Sequence, residues 1–480
     1  MPNRTPVLLP RLRPYQCAAG RAVLDSVVNR RGLTFTVVMA RQCGKNELSA
    51  QMELFLLARN ARRAVEGVKC APTLAPQGLI SARRLWARIE GAGLEPLAAR
   101  DGGQAVRFGR ARQLFLSAEP SSNVVGHTAS LLLEVDEAQD VDREKFDREF
   151  RPMAAASNAT TVYYGTPWDE STLLEQAVQT NLELERRDGI QRHFQFDWTA
   201  LAELNPDYAR FVEAERMRLG ENHPLFQTQF ALKPVSGGRL FKAGQRAQLQ
   251  GPQPRRASAA EGETYVAGLD VGGQDLEDPS TGSGRAAAGD HDLTVLTIAR
   301  VLAPAPDDLV QEPRLEVVEH VAVSGEAHDT LLGRLVDVLG RTWQVRRVAV
   351  DATGLGETLA RLLSRTLGPA VVKPFRFSAE SKSRLGYNLL AAVNGGRLKM
   401  YAADGSAEWA EFWRQAELAR ASYRTNQTMS FFVDPSSGHD DYLMSLALTV
   451  EAARDLDPRP RVARGRVESA AATGGRAGPP

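Results

Sequence analysis

A run of β-branched and apolar residues, Thr34 to Ala40, passes directly into Arg41-Gln42-Cys43-Gly44-Lys45-Asn46 and then into a helical pattern from Glu47 to Arg59. A strand feeding a glycine-bearing loop that opens a helix leaves backbone N–H groups unpaired at the helix start, and such groups attract an anion. Gly44 lets the backbone approach a phosphate, and Lys45 can reach the β- and γ-phosphates of a nucleotide. Met39 stands where the common phosphate-loop pattern has its first glycine, and Asn46 where a Ser or Thr would touch Mg2+.

Further along, Leu131 to Asp136 is an apolar strand ending in Asp136-Glu137. Together with the loop, this reads as the second half of an ATPase site: Asp136 can hold Mg2+ and Glu137 can polarise the attacking water. Glu134 lies inside that strand and needs a partner or a solvent edge. Ahead of the first strand, Tyr15 can stack on a base and Gln16 can pair with an adenine edge. Gly165-Thr166-Pro167 closes the strand Thr161 to Gly165, and Thr166 is expected beside the site, where it can couple loss of the γ-phosphate to motion of a neighbouring domain. The expected nucleotide-binding set is therefore Tyr15, Gln16, Arg41, Gln42, Cys43, Gly44, Lys45, Asn46 and Asp136.

A chain of 480 residues exceeds one ordinary core, so two domains are expected. The alternation of short strands with helical stretches is an α/β pattern. Further strands are expected at Gly67 to Ala71, Gln113 to Ser117 and His193 to Asp197. A second α/β unit has strands at Tyr265 to Val271, Asp292 to Arg300, Leu315 to Val323 and Val345 to Asp351. Its helices are expected at Glu357 to Thr366 and Asp441 to Ala453. Pro234 to Gly238 and Gln250 to Gly262 are rich in Pro, Gly, Ser, Ala and Gln, which suggests a linker. The expected partition is residues 1–240, a linker at 241–262, a second domain at 263–455 and a disordered tail at 456–480. Asp275 to Gly289 is expected to be a flexible loop.

The net charge of +1 means that any nucleic-acid grip must come from local patches. Arg59, Arg62 and Arg63, then Arg83, Arg84 and Arg88, then Arg107, Arg110 and Arg112 are candidates. So are Lys382, Arg384, Arg397 and Lys399, which flank an expected helix and hairpin; such groups hold phosphates without reading bases. No apolar run is long enough to span a membrane, and Met1 to Arg13 has no signal-peptide core. Cys17, Cys43 and Cys70 have neither zinc-site spacing nor a disulfide framework, which fits a reducing compartment.

The second unit carries its own acids. Asp270 ends one expected strand and Asp351 another, Asp292 opens a third, and Gly438-His439-Asp440-Asp441 precedes an apolar helix. Three strand tips and a helix start can converge on one point. Two divalent ions about 4 Å apart need such a set of hard oxygen ligands, one ion activating water and the other stabilising a departing 3′-oxygen.

Taken together, Arg41-Gln42-Cys43-Gly44-Lys45-Asn46, Ala71-Pro72-Thr73, Val135-Asp136-Glu137-Ala138 and Gly165-Thr166-Pro167 resemble the large terminase subunits of tailed phages, over roughly residues 10–455. The family's phosphate loop reads Arg-Gln-x-Gly-Lys followed by Ser, Thr or Asn, so Asn46 is within its range. The resemblance implies an additional-strand, RecA-like P-loop ATPase followed by an RNase H-like nuclease. In that frame Asp270 is the first-strand metal ligand, Asp351 the acid of the fourth strand, and Asp440 or Asp441, with Asp441 preferred, the ligand of the last helix. Asp292 is a further candidate acid, and His439 a candidate ligand or proton carrier. Arg41 is implied as an arginine finger within the subunit, with Arg148 or Arg151 as the alternative that reaches a neighbour. The catalytic set so implied is Lys45, Arg41, Glu137, Thr166, Asp270, Asp351 and Asp441. The implied activity is packaging of double-stranded DNA into a procapsid with ATP and Mg2+, and cutting of concatemers with Mg2+ or Mn2+. Implied partners are a small terminase subunit, the portal protein and further copies in a ring, in the host cytoplasm and transiently at the portal. Rival readings are an ATP-driven helicase or remodelling enzyme with an inactive RNase H-like domain, which has no reason to keep the acids, and a non-enzymatic scaffold, which needs no Glu137.

Overall fold

The computed structural model describes residues 12–272 and 293–456, apart from 325, 327, 355 and 425. Asp292, the stretch Asp275 to Gly289 and the tail from 457 on lie outside the described residues.

The N-terminal half forms an eight-stranded sheet from β1 (Thr34–Met39), β2 (Glu66–Ala71), β3 (Ala98–Asp101), β4 (Ala105–Phe108), β5 (Ala111–Ser117), β6 (Leu132–Val135), β7 (Thr160–Gly165) and β8 (His193–Phe196). Its order is β3-β4-β5-β2-β6-β7-β1-β8. The six strands from β5 to β8 are parallel, and β3 and β4 add an antiparallel edge. A central strand of such a sheet is buried on both faces, so its sequence need not alternate; Phe35, Val37, Val38 and Met39 of β1 are all buried. β7 lies between β1 and β6. The strand that opens the Gly44-Lys45 loop and the strand that ends at Asp136 are thus separated by one added strand, the arrangement expected of an additional-strand ATPase.

The C-terminal half builds a six-stranded sheet from β10 (Thr264–Asp270), β11 (Thr294–Leu302), β12 (Arg314–Val323), β13 (Arg347–Asp351), β14 (Val372–Phe375) and β15 (Leu398–Lys399), ordered β14-β13-β10-β11-β12-β15. β10, β11 and β12 form an antiparallel meander, and β13 and β14 run parallel to β10 on its other side. That order and orientation are RNase H-like. A small third sheet joins β9 (Gly238–Arg239), β16 (Arg420–Tyr423) and β17 (Met429–Phe432).

The last helix, Asp441–Ala453, packs straight onto β10. Gly268 makes this possible, because a Cβ there would collide with the backbone of Ser445 and Thr449. Ser445 Oγ donates to Gly268 O at 2.9 Å and lies 2.7 Å from Thr297 Oγ1, which fixes the helix along the strand. The start of this helix is thereby brought toward the C-terminal end of β10.

The stretch expected as a linker is built into the C-terminal half. Leu240, Phe241 and Leu249 are buried in its core, and Ala243–Leu249 is a helix. Beyond it the Pro- and Gly-rich segment is pinned by backbone bonds: Gly251 N to Met400 O, Ala402 N to Gln253 O, Arg256 N to Val318 O and Ala259 N to Thr342 O, all between 2.8 and 3.0 Å. Composition alone suggests a free crossing here, whereas the segment satisfies its backbone on residues of the C-terminal half. A fragment beginning at Gly237 is therefore expected to melt well above one beginning at Gly262, since burial of each large apolar side chain contributes about 1.5–3 kcal/mol. Calorimetry of the two fragments checks this, and equal melting temperatures would refute it.

The halves also touch directly. His223 is buried, and its Nδ1 accepts from Leu225 N at 3.2 Å, so its Nε2 carries the proton donated to Tyr387 O at 3.0 Å. Burial lowers its pKa to about 4, which keeps the ring neutral. Among the described residues no helix is long and apolar enough to cross a membrane.

Candidate nucleotide cleft and acidic centre

The loop after β1 turns through two left-handed residues, Gln42 at φ 66° and Gly44 at φ 91°. A Cβ at position 44 would meet the Gln16 amide. The helix Lys45–Arg59 starts immediately afterwards, so its free N–H groups face the loop. A cleft of about 540 Å³ opens over it, lined by Arg41, Gln42, Gly44, Lys45, Asn46, Asp136, Glu137 and Thr166 among others. Most of the nucleotide-site residues expected from sequence are thus gathered in one place.

Glu137 holds φ 45°, a strained left-handed turn that a non-glycine residue adopts only when its surroundings impose it. Its carboxylate meets Lys45 Nζ at 3.0 and 3.1 Å and accepts from Gln139 Nε2 at 2.9 Å. Burial opposes its charge, but Lys45 and Gln139 outweigh that and hold the carboxyl below its usual value, so it is ionised at neutral pH. Asp136 is buried, and burial raises its pKa. Ser81 Oγ donates to its Oδ2 at 3.2 Å, while Oδ1 has no hydrogen-bond partner. A buried carboxylate oxygen without a donor is the ligand that a hard divalent cation requires, and the site fits Mg2+.

Glu134 finds its partners inside the protein. It accepts from Ser49 Oγ at 2.6 Å and from Tyr164 Oη at 3.0 Å, and Ser49 in turn accepts from the buried Lys69 Nζ at 2.6 Å. Lys69 also meets Glu53 at 3.4 Å. Burial pushes the Glu53 carboxyl well up, and burial of Lys69 is offset by Glu53 and Glu134, which keep it charged. This network fills the layer between β6 and the helix that follows the phosphate loop.

Three of the expected nucleotide contacts are placed differently. The side chains of Tyr15, Gln16 and Cys43 do not line the cleft. Gln16 is buried, its Nε2 donates to Gly44 O at 2.9 Å and its Oε1 accepts from Arg13 N at 2.8 Å. Tyr15 Oη donates to Cys43 O at 2.8 Å, and its ring leans on Phe196 at 5.2 Å. Both residues brace the loop from behind, so contact with a base would require them to exchange these bonds. The Cys43 thiol packs toward Tyr208. Arg41 lines the cleft and donates to Gln229 Oε1 at 2.8 Å. Arg148 and Arg151 lie on the surface, paired with Glu149 and Asp147 at 2.8 and 2.9 Å. Sequence reasoning missed Gln139, Asp140, Gln229 and Gln427, all of which line the cleft. Gln139 stands one residue beyond the acidic pair, after Ala138, and was the one within reach of a motif argument.

In the C-terminal half, Asp270 at the end of β10 has its carboxyl pushed well up, first by burial and then by Asp441, Asp351 and Asp440, with Lys382 opposing. Asp351 at the end of β13 is raised by burial, and Thr353 N donates to it at 2.8 Å. Asp441, Asp351 and Asp440 are thus near enough to Asp270 to oppose its charge. The acids stand loosely: among the described residues no three His, Cys, Asp or Glu side chains are close enough to hold a metal ion as they lie. The donor set still suits a hard cation, since carboxylates that raise one another's pKa relax when a cation neutralises them. His439 sits near Glu411, whose carboxyl is held down chiefly by Arg414.

The first three arginine groups, residues 59 to 112, are mostly exposed. Arg397 is otherwise engaged. It pairs with Glu312 at 2.7 Å and donates to Arg218 O at 3.2 Å, so it ties the two halves together and is not free for a phosphate.

No protein-family model matches the sequence, and no curated protein sequence matches it. Solved structures do match. The large terminase of a thermophilic bacteriophage aligns over 92% of this chain and 98% of its own, with a TM-score of 0.51 at 11% identity. The same protein in complex with ATP-gamma-S gives 0.47 at 11% identity, over 92% and 99%. The HK97 bacteriophage large terminase gives 0.41 at 15% identity, over 92% and 95%. The first of these, with the strand orders above, establishes the architecture: the chain has the fold of the phage large terminases, a RecA-like α/β domain followed by an RNase H-like one.

Proposed function

We propose that this chain is the large terminase subunit of a tailed phage: a DNA-packaging ATPase that also cuts DNA. The observation that carries the reading is the meeting of Lys45, Asp136, Glu137 and Thr166 in one cleft at the start of a helix. Lys45 and the helix N-terminus bind the phosphates, Asp136 holds Mg2+, and Glu137 accepts a proton from the attacking water. Arg41, on the cleft wall, acts as the arginine finger within the subunit, and Thr166 relays the state of the site to β7. Mg2+ supplies charge neutralisation on the phosphates when bound.

At the other centre Asp270, Asp351 and Asp441 hold divalent cations, Mg2+ or Mn2+, with Asp440 beside them. The ions supply water activation and leaving-group stabilisation for phosphodiester cleavage. The domains we infer are an ATPase up to about residue 237 and a nuclease from there to about 455. The exposed arginines grip double-stranded DNA by its phosphates. A small terminase subunit, a procapsid portal and further copies in a ring are the proposed partners, in the host cytoplasm and transiently at the portal.

The test is the purified full chain assayed for ATP hydrolysis with and without double-stranded DNA, and for plasmid cleavage with Mg2+ and Mn2+. DNA-stimulated hydrolysis together with metal-dependent cleavage is expected. Hydrolysis without any cleavage would favour the helicase reading, and nucleotide binding with neither activity would leave the scaffold.

A further inference from the structure

Gln427 belongs to the C-terminal half, yet its side chain lines the nucleotide cleft of the N-terminal half. It follows β16, just ahead of β17, at φ 62°, again a left-handed residue that is not glycine. Both halves clamp this hairpin. Tyr387 Oη donates to Gln427 O at 3.0 Å, and Trp168 Nε1 donates to Arg424 O at 2.7 Å. Trp168 is buried and sits edge-on to Tyr423 at 6.0 Å. From this anchored backbone Gln427 Nε2 reaches Asp140 Oδ1 at 3.0 Å.

The contact continues into the site. Asp140 Oδ2 accepts from Gln139 Nε2 at 3.1 Å, and that nitrogen also donates to Glu137 Oε2 at 2.9 Å. The other end of the same amide, Gln139 Oε1, accepts from Thr166 N at 3.2 Å. Gln139 thus holds both the hydrolytic acid and the end of β7, and its orientation depends on which Asp140 oxygen is available. Gln427 occupies Oδ1 and leaves Oδ2. Among the described residues the hydrogen-bond partners of the Glu137 carboxylate are Lys45 and Gln139. Once Lys45 turns to a phosphate, Gln139 remains as the group that aims Glu137.

We propose that Gln427 is a positioning residue for ATP hydrolysis, supplied by the C-terminal half, so that the nucleotide site is complete only while the nuclease-side hairpin is docked on it. This rests on the nucleotide reading above. Withdrawal of the hairpin frees Asp140, lets Gln139 turn, and slows the chemical step without weakening nucleotide binding.

The experiment is a donor–acceptor exchange in the full chain, with kcat and KM for ATP and the melting temperature measured for each variant. Gln427→Ala is expected to lower kcat about tenfold with KM nearly unchanged, the scale of one aligned hydrogen bond. Gln427→Glu sets two carboxylates against each other and should lower it further. Asp140→Asn combined with Gln427→Glu restores a donor facing an acceptor, and is expected to recover kcat to within about threefold, the coupling signature of a direct contact. A wild-type kcat in Gln427→Glu would overturn the proposal. So would an exchange pair that recovers the melting temperature while kcat stays low, because the contact would then be structural only. If the wild-type chain hydrolyses no ATP, the nucleotide reading itself fails, a result that differs from turnover indifferent to Gln427.

Discussion

Glu137→Gln is expected to abolish steady-state ATP hydrolysis while ATP still binds. The carboxylate is ionised because Lys45 and Gln139 overcome its burial, so it can take a proton from water at neutral pH. An amide of the same shape cannot, and removal of a positioned base costs about 10²–10⁴-fold in rate. Binding is expected to survive because the proposed phosphate cradle is the loop at Gly44, the helix N-terminus and Lys45, none of which is altered. Without nucleotide, Lys45 is held by Glu137 at 3.0 Å. The variant loosens that hold, so its affinity for ATP should equal or exceed that of the wild type. Lys45→Ala should lose both binding and turnover. A fluorescent nucleotide titration and a phosphate-release assay on the two variants separate these effects. Turnover by Glu137→Gln within a few-fold of the wild type would remove Glu137 from its role, and the Asp136-Glu137 assignment with it.

What could be read from sequence, and what could not, follows the range of the interactions. β1, β6, β10 and β13 were legible because each is a short apolar run leading into a turn or a charged residue, and buried parallel strands impose that pattern locally. The helix Asp441–Ala453 was legible for the same reason, its apolar run being preceded by Asp440. The edge strands β3 and β4 escaped notice because each has only four residues: β3 ends in the consecutive polar pair Arg100-Asp101, and the alternation Val106-Arg107-Phe108 in β4 is too short to stand out. The segment 250–262 reads as a linker by composition, and only the distant residues to which it bonds show otherwise. Tyr15 and Gln16 suit a base by chemistry. Nothing local reveals that Gly44 O and Cys43 O take their donors first. Gln427 had no local signal at all, because its partner Asp140 is far away in the chain and belongs to the other half. Gly268 is similar: its lack of a side chain matters only because a helix far later in the chain lies against it.

Asp270→Ala is expected to abolish plasmid cleavage, to leave ATP hydrolysis intact and to remove most of the stabilisation that divalent metal gives the wild type. The reason lies in the charges around β10. Asp270 is raised first by burial and then by Asp441, Asp351 and Asp440, so without a cation these acids oppose one another's ionisation. A divalent ion relieves that opposition and binds only the folded arrangement, which stabilises it by mass action. At a hundred times the dissociation constant this amounts to about 2.7 kcal/mol. For a domain of this size that is roughly 5–10 °C in melting temperature. Removing Asp270 takes away the proposed central ligand, so Mn2+ should shift the variant by only a small part of that. Without metal the variant should melt no lower than the wild type, because one of the opposing charges is gone. Asp351→Ala and Asp441→Ala should each cut as poorly, and double variants should be little worse, since ligands that share the same cations act as a unit. Thermal-shift titrations with Mn2+ on wild type and Asp270→Ala, with plasmid cleavage and ATPase assays on the same preparations, decide the matter. Equal shifts in the two proteins would mean that Asp270 binds no metal, and cleavage retained by Asp270→Ala would move the nuclease centre elsewhere.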